Sequence, residues 1–201
     1  MREVMRDGHT EPRVRLADLT LAPATIGVGA LEGLLGEVTI VDGEVQIATA
    51  PEHVVTNVTA IGTYHATLLS IATPNSSEAA TETGRLDESS LARLAARFAP
   101  LATVDVTGVV EQLNVHVARG ACPHGATTPA TQPHLWSAAA GTTVRLVGFY
   151  APDAAGSLTH HGTAFHLHAI AVTAAGDRRS GHVDAFVLRP GAIVRLGRCE
   201  R

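Results

Sequence analysis

Aliphatic and polar residues alternate along residues 37–49: Val38, Ile40, Val45 and Ile47 fall on one side of an extended chain, and Glu37, Thr39, Glu44 and Gln46 on the other. Between the two runs stands Asp42-Gly43, the two-residue signal of a type I′ turn, so the segment predicts a β-hairpin. On such a hairpin the polar side ordinarily faces solvent. Further β-branched runs at 53–62, 104–110, 113–117, 142–150, 164–172, 182–188 and 192–196 predict strands. The helical spacing of Leu91, Leu94, Ala95 and Phe98 predicts one helix over 89–98, capped by Asp87 or Ser89 and stopped at Pro100. Residues 73–84, rich in Ser, Thr, Asn, Glu and Gly, read as an exposed loop and as the seam between two halves; residues 120–141 read as a second loop. The pattern is that of one sheet-dominated domain over 1–201, with sub-halves at 16–72 and 101–201.

Composition narrows the function. The chain is 45% apolar, enough for a packed core, and its net charge is −4 with fifteen arginines, no lysine and no basic block. No nucleic-acid partner is expected. Residues 1–15 are rich in charge and no apolar run approaches a membrane span, so the expectation is a soluble cytoplasmic protein with no membrane contact. Cys122 and Cys199 are too few for a disulfide framework and lack zinc-cysteine spacing.

Of eleven histidines, five lie between His160 and His182. His166 and His168, two apart on a predicted strand, leave the same face with Cα atoms about 6.7 Å apart, a workable bite for one metal ion. The chain then turns near Gly176-Asp177 and returns through Ser180-Gly181-His182-Val183-Asp184. A hairpin centred near residue 175 would set His182 beside His168; a slip of one residue would turn it away. Three imidazoles with a vacant position suit a catalytic divalent ion such as Zn2+ better than a structural one. His160 and His161, on the approach to this strand, are candidates for extra ligands, outer hydrogen-bond donors or proton carriers, or else are loop residues.

Two stretches resemble the acetolactate decarboxylase family. One is Gly27-Val28-Gly29-Ala30-Leu31-Glu32-Gly33-Leu34-Leu35-Gly36-Glu37, continuing through an aliphatic strand to Asp42-Gly43. The other runs from Val147-Gly148-Phe149 through His166-Leu167-His168 to Gly181-His182-Val183. The resemblance implies an α/β, sheet-dominated fold of two packed mixed β-sheet halves with few helices. It implies His166, His168 and His182 as metal ligands and Glu37 as the active-site glutamate, with Glu32 as the fallback carboxylate. It also implies a carboxy-lyase that takes 2-hydroxy-2-methyl-3-oxobutanoate (2-acetolactate) to acetoin and CO2. The family's arginine aligns with His116, which shares a polar strand face with Gln112 and Asn114, and the family's C-terminal glutamate has no counterpart within these residues. His116 is therefore expected as a catalytic and substrate-binding group, with His161 and Arg119 as further substrate contacts and Arg145 behind Arg119. The alternatives are a non-catalytic, oligomeric metal-binding module of the plant-and-prokaryote conserved type, and a lyase or isomerase for another 2-hydroxy-3-oxo acid. A homo-oligomer is compatible with each.

Overall fold

A computed structural model describes residues 4, 7–50, 55–57, 63–121, 128, 130–160, 162–173 and 176–199. Among the described residues fourteen strands form two sheets. The first has the order β1-β6-β2-β3-β4-β5, from β1 (Val14–Arg15), β2 (Ile26–Leu31), β3 (Glu37–Val41), β4 (Glu44–Ala48), β5 (Val55–Asn57) and β6 (His65–Ala72). The second takes β7 (Ser76–Glu82), β8 (Leu86–Asp87), β9 (Ala102–Val117), β10 (His134–Ser137), β11 (Thr143–Tyr150), β12 (Phe165–Val172), β13 (Arg178–Leu188) and β14 (Ala192–Arg198). Mixed sheets were expected; every pairing between these strands is antiparallel.

The β3–β4 hairpin forms as its sequence predicts. Asp42 and Gly43 both take positive φ, 56° and 76°, as a type I′ turn requires, and Val41 pairs with Glu44. The helix α1 (Glu88–Ala95) begins where Asp87 accepts a hydrogen bond from Ser90 N at 2.8 Å, then tightens into a 3-10 turn at Ala96–Phe98.

Three expectations need correction. The stretch 73–84 is not a loop, because β7 pairs along its length with β14 through backbone bonds that its polar side chains do not disclose. The loop expected at 120–141 contains β10. The runs 104–110 and 113–117 are one strand, the sixteen-residue β9. Its first half pairs with β11 and β14 and its second half with β13 and β10. Because β11 also pairs with β12 and β12 with β13, the four strands β9, β11, β12 and β13 close on themselves.

The hairpin's aliphatic side does not face the second sheet. Val38, Ile40, Val45 and Ile47 pack instead with Leu16, Leu31 and Ala66, covered by Leu19, Leu21 and Tyr64. The polar side of a hairpin ordinarily faces solvent, yet Glu37, Thr39 and Gln46 are buried. They share their face with Val41, and it is this face that meets the second sheet. Between the sheets lies an apolar patch of Ile26, Val28, Val41, Val147, Phe149 and Ile170. On one side of it sits a charged clasp, in which Arg145 bonds both Asp105 and Asp42, and Arg195 reaches Asp105 at 3.0 Å. The histidines lie on the other side. The opposite face of the second sheet is covered by Leu91, Ala95 and Phe98 of the α1 segment.

Candidate functional site

Register decides the site. β12 pairs with β13 so that His168 stands opposite His182 and Val172 opposite Arg178, the spacing of a hairpin centred near 175. His182 in turn stands opposite His116 on β9. Three neighbouring strands thus put His168, His182 and His116 in one row, and His166 joins from two residues along β12. Glycine permits the close approach of these strands. A Cβ on Gly181 would lie 2.5 Å from the His116 carbonyl oxygen, and one on Gly148 would lie 2.0 Å from that of His166.

The ring centroids of His166 lie 5.5 Å from those of His168 and 5.2 Å from those of His182, and His168 and His182 are 5.7 Å apart. All three rings are buried. Burial disfavours the charged imidazole, and the neighbouring rings add repulsion. His166 is pushed down to about 3, and His168 and His182 fall well below the ordinary histidine value. The nitrogens are therefore neutral and offer lone pairs. His166 Nδ1–H donates to the Leu158 carbonyl at 3.1 Å, which leaves Nε2 for a ligand. His168 Nδ1 is 2.9 Å from Thr39 Oγ1, itself 3.0 Å from Ser180 Oγ, and these contacts are best satisfied with Nδ1–H donating to Thr39. Among the described residues His168 Nε2 is buried with no hydrogen-bond partner. An orphaned buried nitrogen beside two further neutral imidazoles is the donor set a divalent ion needs, so the residues fit a metal.

Glu37 enters from the first sheet. Its Oε1 accepts from Ala118 N at 3.0 Å, and its Oε2 lies 3.7 Å from His168 Nε2. Burial raises its pKa to about 7, against the opposing pull of His116 and the Ala118 N–H. His116 is buried too. Burial works against its charge, but the 2.7 Å hydrogen bond to Asp184 and the nearby carboxylates outweigh this and raise its pKa. His160 reaches the cluster from the loop before β12, with its ring 4.5 Å from His182 and 5.6 Å from His166. The possible ligand atoms of His160, His166 and His182 all lie within 4.8 Å of one another, so these three could hold an ion. A cavity of about 200 Å3, lined by His116, His160, His182, Asp184 and Glu88 among others, opens on this cluster. A recess of about 20 Å3 lies beside Glu37.

Other expected residues are not brought here. Arg145 is held in the clasp by Asp105 and Asp42. Arg119 is half-buried near His134, whose pKa its charge helps lower after burial. Glu32 is exposed and 3.5 Å from His65. His161 and Cys122 lie outside the described residues. Sequence reasoning missed Asp184, Thr39 and Ser180 as partners of the histidines. Asp184 stands two residues beyond His182, a spacing that would have nominated it. Thr39 bears the same relation to Glu37.

A double-sheet fold with a buried imidazole cluster and a carboxylate facing it makes a site that could hold a metal ion. The chain belongs to the alpha-acetolactate decarboxylase family, whose model matches residues 3–199. Among solved structures it is similar to acetolactate decarboxylase from Bacillus subtilis subspecies spizizenii, at 16% identity and a TM-score of 0.73, covering 100% of this chain and 84% of that one. It is also similar to a Staphylococcus aureus protein described as similar to alpha-acetolactate decarboxylase, at 16% identity and a TM-score of 0.68, covering 96% and 80%. At these identities the likeness is one of fold. Comparison with curated proteins finds no match. Among the described residues no helix is long and apolar enough to cross a membrane.

Proposed function

We propose that the chain is a metal-dependent carboxy-lyase that converts 2-acetolactate to acetoin and CO2, with one divalent ion, Zn2+ by its donor set, held by His166, His168 and His182. The observation that carries this reading is the orphaned Nε2 of His168 beside two other neutral imidazoles and Glu37. When bound, the ion supplies Lewis acidity toward the neighbouring oxygens of a 2-hydroxy-3-oxo acid. The protein's own groups do the rest. Loss of CO2 breaks the bond between the carboxylate carbon and C2, and a proton must then reach carbon. Glu37, fixed at Oε1 by Ala118 N–H, is the group that moves that proton at Oε2. His116, fixed at Nδ1 by Asp184, presents Nε2 to the substrate carboxylate, in place of an arginine fork. This makes His116 the anchor in preference to Arg119 or His161, in an enzyme we assign to the cytoplasm.

The test is purified protein given racemic 2-acetolactate, with acetoin measured beside elemental analysis. Acetoin release with about one divalent ion per chain supports the reading. Bound metal without acetoin would overturn the substrate assignment and leave a binding module or an enzyme for another 2-hydroxy-3-oxo acid. Protein that takes up no metal would overturn the centre itself.

A further inference from the structure

His166 and His182 form the common edge of two triangles of imidazoles. His168 is the apex of one, with centroid distances of 5.5 and 5.7 Å to the shared pair; His160 is the apex of the other, at 5.6 and 4.5 Å. Imidazoles bound tetrahedrally to one zinc at Zn–N of about 2.0–2.1 Å have ring centroids roughly 5 Å apart. Every separation around the shared edge is close to that value. The two apices differ in their surroundings. His168 is fully buried on a strand and tied to Thr39. His160 is half-buried on a loop and lines both the larger cavity and the recess beside Glu37. That loop is a built feature: Thr159 Oγ1 donates to the Thr163 carbonyl at 2.9 Å, and Thr163 Oγ1 donates to Glu88 at 2.8 Å. His160 therefore approaches the shared pair from the side on which a small molecule can be lodged.

We propose that His160 is a fourth, exchangeable ligand: it closes the ion's shell in the resting protein and yields its vertex to a chelating 2-hydroxy acid. The inference rests on the metal centre proposed above. It adds a property that three fixed histidines do not have, a site shut until a bidentate ligand competes successfully for the fourth position. A monodentate acid has one donor with which to displace an imidazole, so the closed shell selects for chelators.

Co2+ reports its shell through its visible absorption, so Co2+-loaded wild type, His160→Ala and His166→Ala should be compared, with His160→Gln as a space-filling alternative should the alanine variant not fold. His160→Ala should keep one Co2+ per chain, with affinity about tenfold lower, and should bind the inert chelator 2-hydroxy-2-methylpropanoate about tenfold more tightly than wild type. Its spectrum should move from that of a four-nitrogen tetrahedral shell to the weaker absorption of a water-filled one, and the chelator should produce a comparable loss of intensity in wild type. His166→Ala should lose the ion. Superimposable spectra for wild type and His160→Ala, both loaded, would overturn the inference and leave the metal centre standing. Loss of Co2+ from His160→Ala as complete as from His166→Ala would make His160 a permanent ligand and overturn the exchange. Wild type that takes up no Co2+ would overturn both readings.

Discussion

Thr39→Val isolates the link between the two sheets at the histidines. Valine matches threonine in shape and lacks the hydroxyl, so packing is kept while two contacts go, to His168 Nδ1 at 2.9 Å and to Ser180 Oγ at 3.0 Å. Thr39 and His168 are both fully buried, so no water replaces the lost partner. A buried donor left unsatisfied costs about 1–3 kcal/mol; the Ser180 hydroxyl can rotate, so one full penalty is taken, about 2 kcal/mol. For a chain of this size that corresponds to about 4–8 °C in Tm. The second consequence falls on the ion. Without Thr39 the ring of His168 loses the bond that fixes its Nδ1–H tautomer, and affinity for a divalent ion should fall about 10–100-fold. Thermal melts of the metal-free protein measure the first effect and competition against a chromophoric chelator measures the second. Thr39→Ser, which keeps the hydroxyl, is the control and should show little of either. A valine variant with unchanged Tm and unchanged metal affinity would refute the hydrogen-bonded chain from Ser180 through Thr39 to His168.

Glu37→Gln should leave metal content nearly intact and lower acetoin formation at least ~100-fold, the scale of a positioned proton carrier; normal turnover would return Glu37 to a structural role. Gly181→Ala should cost at least about 2 kcal/mol in denaturant melts, because its Cβ would sit 2.5 Å from the His116 carbonyl oxygen and press β13 away from β9. Asp105→Asn should destabilise by about 2 kcal/mol, since the amide has no charge and only one oxygen, so that if it accepts from Arg145 Nη2 and Arg195 in place of Oδ2 its NH2 group faces the Arg145 Nε donor, yet should leave metal content unchanged; a loss of metal would tie the clasp to the centre.

Much of this arrangement is legible in the sequence where local rules decide it. Asp42-Gly43 specifies its turn because both positions need positive φ, and the His-Leu-His spacing specifies one face because strand side chains alternate. Gly148 and Gly181 are visible as motif residues, and their reason, the close backbone of a neighbouring strand, emerges only in three dimensions. What could not be read depends on partners remote in the chain. Alternation cannot say which side of the β3–β4 hairpin goes inward when both are covered, the aliphatic one by residues near Leu16 and the polar one by the histidine strands. β7 escaped because an edge strand is held by its backbone and has exposed or half-exposed side chains throughout, so it carries no apolar signature. Asp184 could have been nominated by its spacing from His182; what no pattern disclosed is the register shift between Val183 and Ala185 beside it.

The closed circuit of β9, β11, β12 and β13 bears on how the protein assembles. Strands β11, β12 and β13 follow one another in the chain and can pair as a meander, whereas the contact of β13 with the far half of β9 spans 66 residues between His116 and His182. Such a long loop closes late and slowly. His116 and His182 are the pair that meets at that join, so a chain caught before closure has no complete pocket and an exposed run of β9.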